Sequence, residues 1–240
     1  MEYLLLLSSI VLGAASVFLF KLDEPRHVKL LNAFIGAYLL SLTLLHLLPE
    51  LYHTAGSALA RNGLAIGGLI LGGFFAQVAL DFISMGVEHG HAHPIHGRMP
   101  GGMVAGLCLH ALVEAMALGN PQTHFDPPSR RLLLWSIVLH NLPVSIALLG
   151  MLLHSGIRRG TALGLLGVFA AMAPLGLALS AHLAWLAAHS RELMAFVIGI
   201  FMHISTTILF EASDIHRFNF VKLGAIVVGT ALGIASVLFH

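Results

Sequence analysis

The sequence predicts an all-α integral membrane protein with eight transmembrane helices, and three observations carry that prediction. Of 240 residues, 58% are hydrophobic and only 10% are charged, against roughly 25% charged in a soluble domain; mean hydropathy is +0.90. The apolar residues fall into eight stretches, most of them near the ~20 residues a helix needs to cross a bilayer. The connectors are too short to hold a soluble domain, so residues 1–240 form a single transmembrane domain.

The first span covers residues 3–20. Glu2 stands where a signal peptide would carry basic residues, so this span is read as retained rather than cleaved. Span two, 30–52, ends in the segment HLLPE. Span three, 63–86, carries Gly67-Gly68 and Gly72-Gly73, small residues that let helix backbones approach closely. Span four, 103–120, contains HALVEAMALG, and span five, 132–153, contains HNLPVSIALLG. Span six covers 161–188, span seven 193–212, and span eight 220–239 with Gly224 and Gly229. Pro143 and Pro174 lie inside spans five and six. Each removes a backbone donor, so both helices are expected to kink and to line a cavity.

Orientation follows the Lys/Arg bias. One set of connectors holds Lys21, Arg26, Lys29, Arg98, Arg158, Arg159, Arg217 and Lys222; the other holds Arg61, Arg130, Arg131 and Arg191. Eight against four places the first set in the cytoplasm and both termini outside. The net charge of +1 offers no basic surface for nucleic acid. Cys108 is alone, which excludes a disulfide framework and a C-x-x-C metal knuckle.

The sixteen histidines are the unusual feature. His is the commonest transition-metal ligand. Inside the spans stand Glu50, Asp81, Glu114 and Glu211 with His46, His110, His140, His182 and His203. A carboxylate at the bilayer centre costs about 2.5–3.5 kcal/mol on the insertion scale, so these groups must face an interior or one another. His110 and Glu114 are four residues apart, on one face of span four. His140 lies near the middle of span five, with Asn141 beside it and Pro143 after it. His46 and Glu50 repeat the four-residue spacing near the end of span two, and His203, Thr207 and Glu211 step along one face of span seven. His182 and Asp81 sit toward span ends and read as boundary residues. Cys108, Met99, Met103 and Met116 read as packing residues.

The short connector makes spans four and five antiparallel neighbours, bringing His110, Glu114 and His140 together. Two imidazoles and one carboxylate suit Zn2+, and also Fe2+, Mn2+, Ni2+, Cu2+ or Cd2+; they do not suit Mg2+ or Ca2+, which prefer oxygen shells. One carboxylate neutralises a divalent ion only in part, which favours exchangeable binding. Asn141, Glu211, His203, His46 and Glu50 are secondary or pathway candidates. The connector after span three carries His89, His91, His93 and His96 at alternating positions, a compositional metal-binding signal on the cytoplasmic side.

With these residues in place the chain resembles the ZIP (Zrt/Irt-like) metal transporter family over essentially its whole length. HALVEAMALG resembles that family's H-N-x-x-[DE]-G helix and HNLPVSIALLG its H-E-x-P-x-E-x helix; HLLPE, APLG in span six and the glutamate ending span seven recur there as well. The resemblance implies a 3+2+3 fold, with spans one to three and six to eight as inverted repeats around spans four and five. It implies a homodimer in the cell (plasma or inner) membrane and inward movement of Zn2+ or a related ion by a rocking or elevator-like motion. His110 and Glu114 match the span-four ligands, and His140 matches the first ligand position of span five. Ala111, Asn141, Val144 and Ala173 depart from the family's usual polar residues, which points to one principal ion rather than two.

The function expected is therefore transport of a divalent transition metal, zinc foremost, with release aided by protonation of the ligands. Two other classes are compatible with the residues. A non-transporting metal sensor or partner protein would explain the missing ligands at Ala111 and Val144. An intramembrane metal hydrolase would use Glu114 as a base, but that leaves only two good ligands for the ion.

Overall fold

The computed structural model describes residues 1–20, 23–53, 59–84, 101–119, 127–211 and 220–239. These residues form helices and turns. In chain order the helices are α1 (Glu2–Phe20), α2 (Pro25–Leu42), α3 (Leu48–His53), α4 (Leu59–Ser84), α5 (Gly101–Met116), α6 (Pro127–His154), α7 (Arg159–His182), α8 (Ala184–Ala188), α9 (Ser190–Glu211) and α10 (Phe220–Leu238). A single π turn, Thr43–Leu47, joins α2 to α3.

Seven segments are long and apolar enough to cross a membrane, and α2 and α3 together make one of them. The remaining apolar helix, α5, has 16 residues, a rise of about 24 Å. Three tight turns extend it, with Ala117, Leu118 and Gly119 N–H donating to the carbonyls of Glu114, Ala115 and Met116. Gly119 ends the run at φ 59°, where the left-handed conformation suits glycine. Span four thus keeps its place but stops being regular helix earlier than 120.

The helices pair as α1 with α6, α2 with α10, α4 with α9, α5 with α7, and α2 with α9. Most of the spanning part of α6 is buried, whereas α4 and α10 bury little of theirs. Leu64, Leu71, Phe75 and Phe82 on α4 and Val227, Val228 and Leu238 on α10 are exposed apolar side chains. Exposed apolar residues in such numbers suit contact with hydrocarbon rather than water.

Two apolar cores form. One joins Leu39 and Leu42 of α2, Ile137 of α6 and Phe201 of α9. The other joins Leu107 of α5, Ile146 and Leu149 of α6 and Phe169 of α7. Helices α5 and α6 run through both: Ala115 and Val138 belong to the first, Ala111 and Val144 to the second. His110, Glu114 and His140 fall where the two cores meet.

Pro143 and Pro174 sit inside helices that continue through them. Two breaks in regular α-helix occur at other positions. Before Pro49, the Leu48 N–H reaches back five residues to the Thr43 carbonyl, one wide turn of the kind often found at functional positions. Span six ends at His182 rather than 188: Leu183 is extended (φ −93°, ψ 104°), and the short α8 follows.

Candidate metal centre

Two kinds of polar side chain occupy the spans, and hydrogen bonding separates them. Ser9, Ser41, Ser136, Ser145 and Ser180 each donate to a carbonyl three or four residues back on their own helix. That local bond satisfies a hydroxyl in an apolar setting and carries no further role. Gln77, Asp81, His110, His140 and His203 instead make contacts between helices.

His110, Glu114 and His140 each place one ligand atom within 4.8 Å of the others, the one such group of three among the described residues. All three are buried, at 1%, 0% and 1% exposure. His110 Nε2 lies 3.0 Å from Glu114 Oε1 and 3.4 Å from His140 Nε2, with the two rings edge to face at 81°. Neither carboxylate oxygen of Glu114 accepts a hydrogen bond. The contact to His110 is close, but it does not have hydrogen-bond geometry. A desolvated carboxylate without a donor is expensive. Two imidazole nitrogens and such an oxygen around one point form a donor set that fits a transition-metal ion.

Beyond His110 the polar contacts continue. His110 Nδ1 is 3.0 Å from Gln77 Oε1. Gln77 Nε2 donates to Asp81 Oδ1 at 3.2 Å. Asp81 Oδ2 is 2.6 Å from His203 Nε2, and Thr207 Oγ1 lies 3.4 Å from the same nitrogen. The His203 ring also stands edge-on to Phe74, 4.9 Å away. This line joins α5 to α4 and α9. It depends on close approach of the last two: a Cβ on Gly73 would collide with the Phe196 carbonyl, and one on Gly199 with the Ile70 carbonyl.

The expected residues are thus divided. His110, Glu114 and His140 come together. Asn141 is buried next to His140 in sequence, and its Nδ2 makes no hydrogen bond. His203 joins Asp81 rather than the three-residue group. His46 Nε2 is 2.8 Å from Ser129 Oγ at the start of α6; its π turn also alters the helical offset that a regular four-residue step to Glu50 assumes. Glu211 is the last residue of α9. His89, His91, His93 and His96 lie outside the described residues. Asp81, read from the sequence as a boundary residue, is half-buried and interhelical, and Gln77 was not anticipated at all. The available signal was their own four-residue spacing, a buried amide and an acid on one face of span three.

Ala111 and Val144, which occupy positions where the resemblance expects polar ligands, are buried in the apolar core. A family model described as ZIP zinc transporter matches residues 102–239, more than half of the chain, and that match includes the helices bearing all three residues of the cluster. The apolar helices mark a multi-pass membrane protein, the buried His/Glu group fits a metal site, and the chain belongs to the ZIP zinc transporter family, whose members move divalent metal ions.

Proposed function

We propose that this protein carries Zn2+ into the cytoplasm through one mid-membrane site, with His110, Glu114 and His140 as ligands. The observation that carries this reading is the Glu114 carboxylate, fully buried, accepting no hydrogen bond and 3.0 Å from an imidazole nitrogen. Removal of such a group from water is offset only by a cation or a proton. Nitrogen and oxygen donors in this ratio favour Zn2+ and its neighbours over Mg2+ or Ca2+. A single carboxylate holds the ion loosely enough for release. The apolar Ala111 and Val144 support one ion rather than two.

The ligands are closed to solvent, so loading and release require a change of conformation. The pairings of α2 with α10 and α4 with α9, and of α1 with α6 and α5 with α7, are what an inverted 3+2+3 repeat would produce, with spans four and five between the halves. Movement of one helix bundle against another around a central site would supply that change. The Lys/Arg bias supports both termini outside, and inward movement is what the family resemblance implies. His203 and Glu211 on α9, His46 and Glu50 on the second span, and the loop histidines are assigned to the route, and Asn141 to the neighbourhood of the ion. A homodimer in the plasma or inner membrane is the assembly proposed.

Uptake into proteoliposomes loaded with a fluorescent indicator tests this reading, with Zn2+, Fe2+, Mn2+ and Cd2+ compared. Saturable Zn2+ flux that is lost in both His110→Ala and Glu114→Ala is the expected result. Flux unchanged in both variants overturns the site. Stoichiometric binding with no flux in the unmodified protein favours a metal-sensing role instead, for which the complete burial of the ligands is the supporting observation.

A further inference from the structure

Gln77 is the amide in the line from His110 to His203, and an amide has a direction. A Gln amide offers an acceptor at one end and donors at the other. Asp81 Oδ1 lies 3.2 Å from one end and His110 Nδ1 lies 3.0 Å from the other. A carboxylate oxygen only accepts, so the end facing Asp81 must be the NH2. The reversed amide would set two oxygens against each other. Asp81 is in turn held by His203, 2.6 Å from its second oxygen. The amide oxygen therefore faces His110.

That orientation decides where His110 keeps its proton. Facing an acceptor, Nδ1 must carry the hydrogen. In the neutral ring Nε2 is then a bare lone pair. This is the nitrogen 3.0 Å from Glu114 and 3.4 Å from His140.

We propose that Gln77, oriented by the Asp81–His203 pair, is a positioning residue that fixes the tautomer of His110 and keeps its Nε2 ready for metal. The inference rests on the reading of His110 as a ligand. Gln77 itself does not touch the ion. Its partner shell spans three helices, so the tautomer depends on α4 staying packed against α9. Outer-shell partners of a ligating His typically change metal affinity about 10–100-fold.

The experiment has two arms on the full-length protein in nanodiscs. In the first, 15N-histidine spectra of the chelator-treated protein, assigned with His110→Ala, report which ring nitrogen of His110 bears the proton. The expected result is an Nδ1–H tautomer in the unmodified protein. Gln77→Met, similar in length and without a comparable acceptor, should lose it. Asp81→Leu, which leaves Gln77 but frees its amide to turn, should give a mixture. An Nε2–H tautomer in the unmodified protein overturns the proposal, and so does an unchanged Nδ1–H tautomer in Gln77→Met. In the second arm, Zn2+ competition against a chelating dye should show Gln77→Met weaker by about 10–100-fold at unchanged stoichiometry. His110→Ala should remove the Zn2+ equivalent held at the mid-membrane site, as distinct from Zn2+ held by His89, His91, His93 and His96. If the tautomer responds and His110→Ala leaves that equivalent in place, the metal reading fails while the tautomer assignment stands. If His110→Ala removes it and Gln77→Met leaves its affinity untouched, the positioning role fails alone.

Discussion

His110 Nε2 and His140 Nε2 stand 3.4 Å apart on different helices, with their ring planes nearly perpendicular. Two buried imidazoles at that distance share one point in space, and Glu114 Oε1 lies 3.0 Å from the first of them. The consequences below follow from that arrangement and from the packing that maintains it.

Glu114→Gln keeps the shape of the side chain and removes its charge. The buried site then presents neutral groups to a divalent ion. Zn2+ affinity is expected to fall by more than the roughly 10–100-fold that loss of an outer-shell partner costs. Thermal stability of the metal-free protein should change little, because the amide keeps the size and shape of a carboxyl group that accepts no hydrogen bond there. Dye competition and melting in detergent check the two halves separately.

Metal binding here requires neutral imidazoles and an ionised carboxylate, so protons compete with the ion. Apparent Zn2+ affinity is expected to fall as pH is lowered from about 8 to about 5.5, across the range in which histidine ordinarily gains its charge. The sign is fixed: acid favours release, base favours loading. Calorimetric titration in two buffers of different protonation enthalpy would show proton release on binding. Affinity flat across that range would contradict the ligand set.

Gly73 and Gly199 permit the contact on which the Asp81–His203 pair depends. Either residue replaced by leucine puts side-chain atoms into a neighbouring backbone carbonyl. A loss of about 1–3 kcal/mol is expected from overpacking, seen as a lower melting temperature. The His110 tautomer should be perturbed along with it, although neither glycine touches that residue.

Arg130 holds the amino-terminal helix to the start of α6. Its guanidinium grips both carboxylate oxygens of Glu2, the Nη2–Oε2 bond being 2.7 Å, and its Nε donates to the Leu118 carbonyl at 2.9 Å. Both side chains are partly exposed, so Arg130→Ala is expected to cost only about 1 kcal/mol. Arg130→Lys should recover part of that, since it restores the charge but not the fork. A double-mutant cycle with Glu2→Ala measures the coupling.

Much of the fold was legible because lipid imposes simple rules. Backbone groups must be satisfied within each segment, so long apolar stretches become helices, and their approximate limits follow from composition. His110 and Glu114 were legible as a pair for a related reason: four residues of helix bring two side chains to one face without any help from the rest of the chain. The end of span six at His182 and the π turn before Pro49 were not legible, because each depends on which carbonyl an individual N–H can reach.

What the sequence by itself determined is the membrane-spanning architecture, the His-Glu face of span four and the histidine at equal depth in span five. The sequence also led to the expectation that His140 meets that face; the tertiary structure alone decided that Gln77 and Asp81 connect it to His203, and that His46 turns to Ser129 instead. The reason is physical. Helical periodicity is a local property, written in residues three and four apart. The contacts between α4, α5, α6 and α9 arise from packing of helices distant in the chain, where a glycine such as Gly73 or Gly199 sets how closely two backbones approach and hence which polar groups can touch.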